Sequence, residues 1–126
     1  MADPNESATA SNVGLVFACS GAADVGEIAD RAARMLNREG AARMYCLCGI
    51  GGRIETSIET ARAAGRVLAI DGCEFDCARK CLELAGLANF RHLRITDHKL
   101  EKGKSPPNVH NVSAVAERAR HAMLAP

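Results

Sequence analysis

The chain has 126 residues, 48% of them hydrophobic, and a formal net charge of +1 at pH 7. That length gives one domain able to bury a core, and the near-neutral charge gives no general attraction to nucleic acid or to anionic membranes. Only 3% is aromatic and there is no Trp, so the core is aliphatic and there is little on which bases could stack.

No apolar run approaches the roughly 20 residues of a membrane span, and the first residues carry no basic or apolar signal segment. A cytoplasmic protein without a membrane partner is expected. Its six cysteines would then be reduced, which makes metal binding, thiol chemistry or burial more fitting than a disulfide framework.

Residues 1–12 are small and polar and read as a disordered tail, followed by a single α/β domain over 13–126. Residues 13–18 form a nearly continuous apolar run ending in Cys19-Ser20-Gly21, the pattern of a strand buried on both faces and a tight turn. Asp24 and Glu27 have capping-box spacing, and Val25, Ile28, Ala29, Ala32, Met35 and Leu36 recur at helical spacing until Gly40. Residues 43–48 read as a second strand, with Cys46 and Cys48 on one face, followed by a glycine-rich loop over 49–52. A shorter helix spans 54–64.

The β-branched, apolar run 67–70 is the third strand and ends in Asp71-Gly72-Cys73. Asp76 is placed to cap the next helix, putting Cys77 in its first turn at the positive end of the dipole, and the helix ends near Gly86. Residues 91–96 alternate polar and apolar as an edge strand does, with Asp97 and His98 at its tip. Three lysines and Pro106-Pro107 make 99–108 a loop. A last helix carries Val112, Val115, Ala116, Ala119, Ala122 and Met123 on one stripe.

Strict alternation of strands and helices predicts parallel strands in a three-layer open α/β sheet of about four strands. The first and third strands are the most uniformly apolar and should be central, giving the order 2-1-3-4 of a flavodoxin-like half. Such sheets bind ligands at the carboxyl ends of the strands, where the chain order reverses. Cys19, Cys46 and Cys73 at strand tips and Cys77 on the following helix converge there. Zn²⁺ takes four soft ligands and tolerates separations of two to four residues, as between Cys73 and Cys77. These four are the expected metal ligands, with Cys48 and Cys81 in reserve. Cys81 also lies on the core stripe Ala78, Cys81, Leu82, Ala85.

Arg79 and Lys80 could offset the negative charge of a thiolate site. An iron–sulfur cluster fits less well, because closely spaced cysteine runs are absent. Asp71 and Asp97 are the carboxylates best placed to assist. His98 is a candidate nitrogen ligand, whereas His92, His110 and His121 belong to no constellation. Phosphoryl transfer at Cys19 is disfavoured: residues 20–25 hold no Arg, and Asp24 at the helix cap would repel a phosphate.

Asp71-Gly72-Cys73, Cys19-Ser20-Gly21, Cys46 ahead of the glycines, Cys77, Lys80 and Thr96-Asp97 together resemble the DGC-domain family of zinc-binding proteins. The resemblance runs from about Val13 to the last helix and implies zinc without implying an activity. Ala22 stands where similar sequences can carry another Cys, and Cys48 and Cys81 are additional to the pattern. Two other functions stay open: a thiol or persulfide redox or sulfur-transfer enzyme using Cys73 or Cys77, and a binding or regulatory module whose metal holds its loops in place.

Overall fold

The computed structural model describes residues 13–125, so the tail expected over 1–12 lies outside the described residues. The elements follow in the order β1 (Leu15–Ala18), α1 (Asp24–Glu39), β2 (Arg43–Met44), α2 (Leu47–Gly51), α3 (Glu55–Ala63), β3 (Val67–Asp71), α4 (Cys77–Leu84), β4 (Arg91–Arg94), a 3-10 turn (Ile95–His98) and α5 (Val109–Leu124). All strands pair in parallel, in the order β2-β1-β3-β4. The uniformly apolar strands are the central ones, as their patterning predicts: every residue of β1 and β3 is buried.

Alternate residues of the sheet serve two separate cores. Val16, Ala18, Leu68, Ile70 and Leu93 face α1 and α5, while Leu15, Phe17, Val67 and Ala69 face Ile50, Ala61, Ala78 and Leu82 from α2, α3 and α4. Each Val, Leu, Ile or Phe side chain buried this way contributes roughly 1.5–3 kcal/mol. The same alternation puts Asp71 on the α4 side of the sheet, which decides what it can reach.

The second strand is much shorter than the sequence pattern implies. It stops at Met44, Cys46 becomes the residue before α2, and Cys48 lies within that helix, so the two are not neighbours on a strand face. Gly49 and Gly51 lie in α2 as well, not in a loop. The physical reason at Gly49 is close approach, since a Cβ there would stand 2.6 Å from the Ser57 hydroxyl of α3. On its open side, β2 has its Met44 N–H taken by the Asn37 side chain at 2.8 Å, which blunts the sheet edge. The fourth strand likewise ends early, at Arg94, and the 3-10 turn takes Thr96, Asp97 and His98.

Both helix caps differ from expectation. α1 begins at Asp24 itself and has no capping box: the Asp24 carboxylate accepts from the Val25 N–H at 2.8 Å and from Gly103 and Ser105 of the distant loop at 2.9 and 3.2 Å. Those bonds hold its pKa below the usual carboxylate value, the Gly103 N–H contributing most. Asp76 occupies the cap position of α4 with a left-handed backbone (φ 52°), yet its side chain makes no cap bond. Among the described residues, no helix is long and apolar enough to cross a membrane.

Candidate metal and thiol site

The end of β3 organises this site. Asp71 is buried, and its two carboxylate oxygens accept from the Ala78 and Arg79 N–H groups at 2.7 and 3.0 Å, so it caps α4 in place of Asp76. Asp71 also meets His92 Nε2 of β4 at 2.8 Å. Asp76 is released from capping because Arg94 takes both of its oxygens, with Arg79 Nη2 at 3.3 Å. The Arg94 hydrogen bond, followed by the charges of His92, Arg94 and Arg79, holds Asp76 below the usual carboxylate range against the opposing effect of burial.

His92 therefore does belong to a constellation, contrary to the sequence expectation. Its register opposite Ala69 puts it on the α4 face of the sheet, beside Asp71. The signal was the even spacing of Ala69 and Asp71 on β3 and of His92 and Arg94 on β4, readable only once the register is known. Asp97 pairs with Arg94 at 3.5 Å from an exposed position, and Lys80 is exposed on α4.

Asp71, Asp76 and His92 are, among the described residues, the one group that brings three metal-donor atoms within 4.8 Å of one another. Its donors are already engaged, Asp71 by two amides and Asp76 by Arg94. A divalent cation there would face two guanidinium groups and displace those bonds. The cluster is better satisfied as an ion network that ties the head of α4 to β3 and β4.

The thiols have a different setting. Cys19 at the tip of β1, Cys46 just beyond β2, Cys48 on α2 and Cys81 on α4 all line one cavity of about 980 Å³, to which α1 contributes Asp30, Arg34, Asn37 and Arg38. Burial pushes the Cys19 thiol above its ordinary pKa. The Gly21 and Gly72 backbone oppose this, and the charges of Asp71 and Cys77 add to it. Cys81 is pushed up too, first by burial and then by Cys77, with Arg53 opposing and Asp71 and Cys48 adding. Cys77, the first residue of α4, thus stands within electrostatic reach of both. Cys46, Cys48 and Cys77 are exposed, and Cys77 is not among the residues that line the cavity.

Cys73 stands apart. It packs against the α1 and α5 core and does not line the cavity, and its Sγ lies 3.9 Å from Lys102 Nζ, which also sits 5.0 Å above the Phe75 ring. Gly72 beside it is required by space: a Cβ there would lie 2.8 Å from the Val25 carbonyl carbon and 2.9 Å from the Gly26 nitrogen.

Comparison with known proteins turns on this same stretch of chain. The DGC domain matches residues 15–120, which is nearly everything from β1 to α5. This chain belongs to the DGC-domain family. It is also 36% identical over 88 residues to the anaerobic and virulence modulator AnvM of Pseudomonas aeruginosa, a span covering 70% of this chain and 67% of the relative. No solved structure matches it. In this DGC domain the three signature residues do separate jobs: Asp71 caps α4 and orients His92, Gly72 lets the turn touch α1, and Cys73 presents its sulfur to Lys102.

Zinc, the metal the resemblance implies, fits the donor chemistry of the cavity. Four thiols line it, and although no three of their sulfurs lie within 4.8 Å of one another among the described residues, soft sulfur donors are what zinc takes.

Proposed function

We propose that this DGC-domain protein binds zinc through cysteine thiolates gathered at the carboxyl ends of β1 and β2 and the head of α4. Cys19, Cys46, Cys77 and Cys81 would hold the ion, with Cys48 as the alternative fourth ligand and Cys73 outside the set. The observation that carries the reading is the convergence of Cys19, Cys46, Cys48 and Cys81 on one cavity from separate elements. Soft thiolates select Zn²⁺ over hard cations, and the α4 N-terminus with Arg38 would offset part of the charge of a four-thiolate centre, Arg34 being paired with Asp30. A reducing, cytoplasmic setting belongs to this reading, since it keeps the thiols available.

The site reads as regulatory more than catalytic. AnvM is named a modulator, which supports a metal that shapes a binding surface, and the carboxylate that lines the cavity, Asp30, is spent on Arg34 and the Ser20 hydroxyl. A thiol-transfer role has one observation in its favour, the Lys102 ammonium beside Cys73, which would pair with a thiolate there.

Elemental analysis of untagged protein purified under reducing conditions tests the proposal, with thiols titrated before and after chelation. Close to one zinc per chain, with about four thiols released on its removal, is expected. Metal-free protein with six freely reactive thiols would overturn it and leave thiol chemistry at Cys73 as the better reading.

A further inference from the structure

A second and smaller cavity, of about 260 Å³, lies between the 3-10 turn and α5, on a different part of the surface from the thiols. Ile95 and Val115, both buried, contribute its floor. His98 and Lys99 stand on one side, and His110 and Arg118 on the other, and no carboxylate lines it. Among the described residues, none of those four side chains makes a hydrogen bond or an ion pair.

Other basic side chains of this fold do have acidic partners. Arg34 pairs with Asp30, Arg94 with Asp76 and Arg120 with Glu39, and even Glu117, the neighbour of Arg118 in sequence, is spent on Arg120 and His121. Lys99 is also held in the left-handed backbone region (φ 69°), which costs roughly 1–2 kcal/mol for a residue with a Cβ. Lys99 and Arg118 are two fixed positive charges lining one pocket without an acid, and an anion between them would remove their mutual repulsion.

We propose that this pocket binds a phosphoryl group carried by a small molecule. The volume falls below the roughly 300–1,000 Å³ of sites that enclose drug-sized ligands, so it admits an anionic head group and little more. Arg118 can grip two oxygens with its planar fork, with the His110 ring beside it on α5, and Lys99 and His98 close on a third from the opposite wall. A dianion with three acceptor oxygens matches this set better than a monovalent carboxylate. The pocket owes nothing to the thiol site, so binding here is independent of zinc.

The test is an NMR titration of the full chain with inorganic phosphate, glycerol 2-phosphate, acetate and sodium chloride at matched ionic strength. Saturable shifts at His98, Lys99, His110 and Arg118 with the two phosphates, and far weaker ones with acetate, are expected. Tighter binding of glycerol 2-phosphate would mark a phosphate monoester as the natural ligand, and tighter binding of inorganic phosphate the free ion. Arg118→Gln should weaken binding roughly tenfold or more, with zinc content unchanged. Shifts that never saturate, that chloride reproduces, or that survive Arg118→Gln would overturn the proposal.

Discussion

Gly72→Ala is the substitution whose outcome the structure fixes most tightly. The new methyl would sit 2.8 Å from the Val25 carbonyl carbon and 2.9 Å from both the Val25 oxygen and the Gly26 nitrogen. These are backbone atoms in the first turn of α1, and Val25 and Gly26 are themselves buried. Gly26 has no slack on its other side, because a Cβ there would meet the Gly21 backbone at 2.7 to 2.9 Å. Three strand-to-helix features therefore pack backbone on backbone: the turn after β1, the start of α1 and the turn after β3. Overpacking costs about 1–3 kcal/mol, and an obstacle made of helix backbone belongs at the top of that range. Alanine recovers about 0.4–1 kcal/mol by stiffening the unfolded chain, leaving a net loss of roughly 2 kcal/mol. At about 4 °C per kcal/mol for a domain of this size, the melting point should fall by roughly 8 °C. Thermal unfolding followed by circular dichroism measures it, with Gly21→Ala as the control because nothing lies within 4 Å of its added Cβ. A Gly72→Ala protein that melts within about 2 °C of the parent would refute the reasoning.

Three further outcomes are expected. Asp71→Ala removes the acceptor for the Ala78 and Arg79 N–H groups, so it should cost about 1–2 kcal/mol and speed amide exchange in the first turn of α4; unchanged exchange there would show that the cap is idle. Asp24, whose folded pKa lies below its ordinary value of 3.8, contributes stability that is present above that pH and lost as pH falls through the lower folded value. The Gly103 amide resonance should titrate with it below pH 4, and Asp24→Ala should abolish that titration. Cys19→Ser and Cys73→Ser should separate the ligand set: zinc content should fall with the first and stay near one per chain with the second, and loss in both would return Cys73 to the metal.

How far the sequence could be read depended on the range of the interaction. Strand order and the two buried faces were legible because they depend only on local pattern: β1 and residues 67–70 of β3 are apolar throughout, so these strands should be central. Helix caps were less legible, because a carboxylate in the right place by spacing can be taken by a stronger partner. Asp76 is such a residue, drawn off α4 by Arg94 from eighteen positions away while Asp71 fills the vacancy. Asp24 is another, shared between its own helix and the loop at Gly103. The length of β2 was less legible, since the contacts that flank it, Asn37 of α1 on Met44 and the close approach of Gly49 to Ser57, come from other elements.

The cysteines show the same division. Their arrival at one end of the sheet follows from topology and was readable, whereas their sorting into two neighbourhoods was not. Cys73 and Cys77 are four apart, a spacing that suits a shared metal, yet the turn between them carries Asp76 in a left-handed conformation. Cys73 faces the α1 and α5 core and Lys102, while Cys77 lies within reach of Cys19 and Cys81. Spacing in sequence limits how far apart two ligands can be, but the fold decides which way each one points. In this chain that decision rests with Asp71 and Gly72, which fix the head of α4 and the floor of the turn. The residues beside the cysteine in the Asp-Gly-Cys signature thus position thiols other than its own.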